Sequence, residues 1–247
     1  MEGVARYIYE TSKEMVLAHP DVEFHFLFDR PFDQRFVFAK NVIPHIIAPQ
    51  SRHPILWYLW FEHALPQFFK KNRIDVFYSG DMYLSLKIKV PTLYVSHDLN
   101  YIHYPDGLRW SHLKYYQRYM PRFHMQADHI IAVSEATKKD IVKQYAISDK
   151  NISVAGNALP QSISKISTSA ISKVREKVSQ GNPYFVYVGS LHPRKNIDSL
   201  IKAFNIFKES DMSDCKLVLY GRNAWKTSSL FSLYNASKFK NDIVFLN

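Results

Sequence analysis

The sequence has a single cysteine, Cys215, in 247 residues. No internal disulfide can form, so packing must hold the fold, and a reducing compartment is the expected setting. No run reaches about eighteen apolar residues, which excludes a transmembrane helix, and no secretory h-region opens the chain. The eleven histidines show no H-x-x-x-H or H-E-x-x-H spacing, and Asp-x-Asp pairs are absent. No metal site and no cofactor are expected on those grounds.

What is present is apolar and basic. Apolar residues make up 47% and aromatics 15%, enough for one large core or two smaller ones and too many for a disordered chain. A formal charge of +10 asks for an anionic partner: nucleic acid, a membrane surface or a phosphorylated substrate. The basic residues are scattered, as at Lys138, Lys139, Lys173, Arg175, Lys177, Lys238 and Lys240. No Arg-rich arm or zinc-ligand spacing accompanies them, so nucleic acid is the weakest of the three and is not expected.

Hydrophobic periodicity organises the chain. Val4, Ile8, Met15 and Val16 form one helical face at the very start, with no strand before it. Runs of strand length follow at Val22–Phe28, Val76–Tyr78, Thr92–Ser96 and Ile130–Val133, alternating with helical segments around 54–71, 108–127 and 135–145. Such alternation predicts a parallel sheet covered by helices. Asp75–Gly80 reads as a strand ending in a loop where a ligand could sit. Residues 161–182 are polar and serine-rich, with one short amphipathic stretch, and predict a linker between a domain of residues 1–160 and a second of residues 183–247. The second opens with a strand at Tyr184–Val188 and a loop at Gly189–Pro193. A helix about 195–209, with a buried stripe of Ile197, Leu200, Ile201, Phe204 and Phe207, leads to strands at 216–220 and 242–247.

The most chemical stretch is Tyr187–Asn196. An apolar strand ends in Gly189-Ser190, turns through Pro193 and places Arg194 and Lys195 at a helix mouth, where backbone N–H groups and the helix dipole favour an anion. Arginine offers phosphate a planar fork and lysine a mobile point charge. On spacing alone, a solvated basic helix start accounts for the same residues equally well.

Gly189-Ser190 followed by Arg194-Lys195-Asn196 resembles the donor-phosphate motif of family-four retaining glycosyltransferases of the GT-B fold. Four further features match that family in order: the glycine loop and first helix at Gly3–Tyr7, Ser96-His97-Asp98 after a strand, the strand-to-helix segment Ile131–Asp140, and Gly156-Asn157. The resemblance covers nearly the whole chain. It implies an α/β fold of two Rossmann-like domains with parallel sheets. It also implies transfer of a sugar from a nucleoside diphosphate to a hydroxyl acceptor, with retention and without a metal; the missing Asp-x-Asp pair speaks against the metal-bound donor site of the other glycosyltransferase fold. Arg194, Lys195, Ser190, Gly189 and Gly3 are the implied diphosphate-binding residues, and Gly221-Arg222 a further nucleotide contact, although a glycine after a parallel strand is also an ordinary turn. His97 and Asp98 are the implied catalytic pair, facing Arg194 across a cleft. A lone histidine at a strand end is more often structural, so that role rests on the resemblance. Ser134 and Thr137 read better as helix capping.

The expected partners are a nucleotide sugar and a glycan or lipid-linked acceptor, in cell-surface polysaccharide or glycolipid synthesis. The expected setting is cytoplasmic, with peripheral contact at the inner membrane face allowed. Trp57–Phe61 is too short and too interrupted to span a bilayer and reads as a core helix. A non-catalytic scaffold, or an epimerase or phosphorylase of the same fold, remains a rival. The family also begins with a strand ahead of its first helix and carries two glutamates downstream of residue 247. The chain is therefore expected to be an incomplete, inactive form, with a gap in its first sheet.

Overall fold

A computed structural model describes residues 3–158, 163–211, 213–223 and 228–246. Residues 161 and 162 of the expected linker, and Asn247 of the expected last strand, lie outside them. The chain divides into two compact units, Met1–Pro160 and Gln161–Asn247.

Unit 1 runs α1 (Gly3–Ala18), β1 (Phe24–Phe28), β2 (Val42–Ile46), α2 (Pro54–Leu59), α3 (Leu65–Lys71), β3 (Phe77–Ser79), β4 (Thr92–Ser96), α4 (Asn100–His103), α5 (Trp110–Gln126), β5 (His129–Ala132), α6 (Glu135–Tyr145) and β6 (Ile152–Val154). A π-helical turn, Trp60–Ala64, joins α2 to α3, so the segment expected at 54–71 is helical throughout. Every strand pair is parallel, but the strands form two sheets: β1-β2, and β3-β4-β5-β6. β2 carries Pro44 opposite Phe26. A proline has no N–H to give a ladder and belongs on an edge, which hid this strand from the periodicity. β6 was hidden by its shortness.

The core of unit 1 forms around Tyr94, Phe123, Ile130 and Ile141, all at or near zero exposure. A second cluster joins Trp60, Phe61, Leu65 and Ile88 beside β1 and β3. Trp57–Phe61 turns one side to the core, with Trp60 and Phe61 buried and Tyr58 and Leu59 exposed: Trp57 stacks on Tyr116 and donates to the Ser51 carbonyl, and Trp60 donates to that of Ile47. Among the described residues no helix is long and apolar enough to cross a membrane.

Unit 2 holds α7 (Thr168–Ser179), β7 (Tyr184–Val188), α8 (Ile197–Ser210), β8 (Lys216–Tyr220), α9 (Ser228–Ala236) and β9 (Ile243–Leu246), with the strands parallel in the order β7-β8-β9. The expected linker thus contains a helix. Ser167 caps it by accepting from the Ala170 N–H, and it ends at left-handed Gln180. Ile197, Ile201 and Phe204 of α8 are buried against Leu217, Leu219 and Ile243. Side chains of that kind contribute ~1.5–3 kcal/mol each when fully buried.

Candidate active site

In both units the candidate residues stand at the carboxyl ends of parallel strands, where loops converge and ligands bind in open α/β sheets.

In unit 1, His97 follows β4. Its Nε2 lies 2.9 Å from the Gly80 carbonyl at the end of β3. A carbonyl only accepts, so Nε2 carries the proton and Nδ1 of the neutral ring keeps a lone pair. The Tyr7 ring stands edge-on to the imidazole at 5.2 Å, and its hydroxyl donates to the Ala155 carbonyl beyond β6. Thr137 Oγ1 donates to the His97 carbonyl, and Ser134 Oγ accepts from the Thr137 N–H. Ser134 and Thr137 therefore cap α6 and also brace the histidine. The ring thus meets the end of β3 and α1, and its backbone meets α6.

Asp98 is exposed, and its carboxylate accepts from the Asn100 N–H at 3.0 Å and from the Asn100 amide. It closes the turn into α4. Gly3 is the first residue of α1, and a Cβ added there would meet nothing within 4 Å.

Asp81, one residue past the expected strand Asp75–Gly80, is not among the residues the sequence singles out. It accepts from the Tyr83 N–H and Ser79 Oγ, both at 3.3 Å. The residue is exposed at the lining of a cavity, and desolvation by the protein around it raises its pKa against the pull of those hydrogen bonds and of His97. The signal available was Ser79-Gly80-Asp81 directly after an apolar strand.

In unit 2 the structure brings two expected pieces together. The Gly189 N–H bonds to the Tyr220 carbonyl at 2.9 Å, and the Leu191 N–H to that of Arg222 at 3.0 Å, so Gly189-Ser190 and Gly221-Arg222 lie side by side. Both glycines have positive φ, +152° and +153°. A Cβ on Gly221 would fall 1.9 Å from the Gly189 carbonyl oxygen, so only glycine permits this approach.

The basic pair differs from expectation in its backbone. Pro193–Lys195 forms a separate 3₁₀ turn, left-handed Asn196 follows, and α8 begins at Ile197. His192 Nδ1 accepts from the Arg194 N–H, and the N–H groups of Lys195 and Asn196 close on His192 and Pro193. Those three amides are taken. Attraction for an anion comes from the exposed Arg194 and Lys195 side chains and the first turn of α8, which also carries Asp198. Among the described residues no group of three His, Cys, Asp or Glu could hold a metal.

Residues 1–161 match the family model described as Glycosyltransferase Family 4, and residues 169–246 the one described as Glycosyl transferases group 1. The O-antigen chain mannosyltransferase RfbU of Salmonella typhimurium is 26% identical over 183 residues, covering 72% of this chain and 47% of RfbU. The chain thus spans about half the length of that curated relative. Among solved structures, HepE of Anabaena in complex with UDP and glucose superposes with a TM-score of 0.64 at 17% identity, over 90% of this chain and 61% of HepE. WaaG, a glycosyltransferase involved in lipopolysaccharide biosynthesis, gives 0.63 at 15% identity, over 98% of this chain and 65% of WaaG. These likenesses show the fold, part of a GT-B architecture.

Proposed function

We propose for this chain, which belongs to glycosyltransferase family 4, the transfer of a sugar from a nucleoside diphosphate to a hydroxyl of a glycan or lipid-linked acceptor, with retention at the anomeric carbon. The observation that carries this reading is the joined strand-end loops of unit 2, where Gly189 and Gly221 let two backbones touch beside Arg194 and Lys195. A diphosphate fits that chemistry: its oxygens match an arginine fork, and close backbone approach admits its bulk.

Breaking the glycosyl–phosphate bond leaves negative charge on the departing phosphate and positive charge on the sugar ring. Arg194 and Lys195 stabilise the first of these, which makes a metal unnecessary in this reading. Removing one such group costs ~2.7–4 kcal/mol of barrier, a factor of roughly 10²–10³ in rate. His97, with Nε2 held by Gly80, presents Nδ1 as an acceptor for a substrate hydroxyl. Its role is to orient that hydroxyl. The name of RfbU supports a mannose-like donor and cell-surface polysaccharide, and the UDP of the HepE structures supports a nucleoside diphosphate. Peripheral contact with the inner membrane face belongs to the same proposal.

Titration calorimetry with UDP and GDP, and with their glucose and mannose derivatives, tests the reading. Binding to the native chain should weaken at least about tenfold in Arg194→Ala and in Lys195→Ala, without change in melting temperature. Equal binding by both variants would remove the phosphate role. Binding with no transfer to any glycan or lipid-linked hydroxyl, in a version extended to the full length of its relatives, would favour a scaffold of the same fold.

A further inference from the structure

We propose that the solvent face of α5, with the start of α2 beside it, docks an acidic polysaccharide, a chain of sugar rings carrying carboxylate or phosphate groups. Resting on the proposed reaction, this chain is the acceptor whose terminal hydroxyl His97 orients.

Charge is the first sign. No aspartate or glutamate lies between Asp106 and Asp128, or between Asp33 and Glu62. α5 comes from the first of these stretches and α2 from the second, and the fold packs them together. The Trp57 ring lies 4.9 Å from that of His112 and stacks on Tyr116, and the Tyr58 ring stands 6.2 Å from Tyr119. Glu62 adds no charge to the face, because it is buried and its carboxylate accepts from the Leu86 N–H at 2.8 Å.

The cations are ordered along it. Steps of four residues turn a helix by only about 40°, so exposed Trp110, Lys114, Arg118 and Arg122 form one row about 18 Å long. Exposed Arg52, His53 and Arg109 flank its head. Burial lowers the pKa of His112 there, and the nearby charges of Arg109 and His53 lower it further. Elsewhere in unit 1 surface cations meet acids, as Arg30 meets Asp29 and Lys138 meets Asp149. Among the described residues, none of Arg52, Arg109, Lys114, Arg118 and Arg122 forms an ion pair. Like charges four residues apart on a helix repel, and an anionic partner offsets that repulsion.

The surroundings of the row select the anion. A lipid surface takes up a helix by its apolar face. That face of α5 is already covered by the core, with Tyr115, Met120 and Phe123 buried. α2, with Ile55 and Leu59 exposed, is six residues long and gives a bilayer little to hold. A nucleic-acid strand stacks successive bases on several rings, whereas the row has one, Trp110, 73% exposed. A sugar ring has a flat C–H face that packs on an indole, and its acidic groups accept the paired N–H bonds of a guanidinium. Direction agrees with this. α5 joins the parallel strands β4 and β5, so it runs from their carboxyl ends back to their amino ends. Trp110 therefore stands at the pole that holds His97, and the cations lead away from it along the track of the older sugars.

The test titrates the 247-residue chain with octagalacturonate and with a phosphorylated oligomannoside. The methyl ester of the first, an octanucleotide and phosphatidylglycerol vesicles serve for comparison. At least one acidic sugar should bind, more weakly in added salt, and the ester should bind at least about tenfold less tightly. Lys114→Glu combined with Arg118→Glu should weaken sugar binding at least about tenfold, and Trp110→Ala about threefold, with little change in melting midpoint. Failure of both acidic sugars to bind, or equal binding by the charge-reversed chain, overturns the surface. Tighter binding of the octanucleotide, lost in the same variant, would make this a nucleic-acid face and end the glycan proposal. Vesicle binding lost in that variant, with neither sugar bound, would assign the face to lipid. Arg194→Ala should leave sugar binding intact, and UDP binding unchanged in Arg194→Ala would remove the phosphate role while this surface stood.

Discussion

At the strand ends of unit 1 the polar groups are tied down, whereas at those of unit 2 the cations stand in solvent and the backbone does the packing. His97 is held by Gly80, leaned on by Tyr7 and braced through Thr137. Arg194 and Lys195 are exposed on a 3₁₀ turn, and what is rigid beneath them is the contact of Gly189 with Gly221. In the proposed reading, a neutral hydroxyl is recognised by direction, which a fixed imidazole supplies. In the same reading, a diphosphate is recognised by charge and close approach, which exposed cations beside a close-packed loop pair supply.

The sharpest way to break this contrast is Gly221→Ala. With its Cβ 1.9 Å from the Gly189 oxygen, the two loops must part. The expected loss is about 3–5 kcal/mol of unit 2 stability, together with nucleotide binding. Calorimetric melting with titration of UDP would reveal it, and a variant that melts and binds like the native chain would show the contact to be dispensable.

Unit 1 should fail first in acid. His124 is buried, its Nδ1 donating to the Met120 carbonyl and its Nε2 accepting from Ser96 Oγ, and burial lowers its pKa from 6.5 to about 4. A depressed histidine binds its proton more readily in the unfolded chain. Its contribution is intact above pH 6.5, falls as pH drops towards 4, and levels off below that, a change of roughly 3 kcal/mol. Denaturant melts of the native chain and His124→Gln between pH 7 and 4 should differ in slope; parallel curves would assign the acid loss elsewhere.

In a version extended to the full length of its relatives, His97→Ala should lower transfer about 10–100-fold, ~1.4–2.7 kcal/mol of barrier, with little change in nucleotide affinity. An unchanged rate would leave His97 as a structural link between β3 and β4. The smallest effect belongs to the surface. Lys138 pairs with Asp149 at 3.1 Å, but the aspartate side chain is 75% exposed. Asp149→Asn should cost below about 0.5 kcal/mol, and a larger shift in melting would mean that the hydrogen bond from Lys138 to the Ile152 carbonyl depends on the pair.

Much of the fold was legible. Thr92–Ser96, Tyr184–Val188 and the helix from Glu135 to Tyr145 lie where the periodicity placed them. The apolar stripe of α8 is buried as read, with Ile197, Ile201 and Phe204 inside. What escaped had a local reason: β2 carries a proline, β6 is three residues long, and α7 is serine-rich and almost wholly exposed. Legibility at the site was uneven. Ser134 was readable as an N-cap because capping is local, but its bracing of His97 through Thr137 spans forty residues and was not.

The sequence by itself determined the alternation of strands and helices, the parallel class that follows from it, and the residues rich in charge or glycine at strand ends. Those are consequences of period and residue type within a few positions. Only tertiary structure decided that Gly189 and Gly221 touch, that Asp81 lies near His97, that the amides of Arg194 and Lys195 are spent on their own turn, and that the strands of unit 1 form two sheets. Each of these depends on which strands become neighbours, and that choice is made by packing over tens of residues, which no local pattern records.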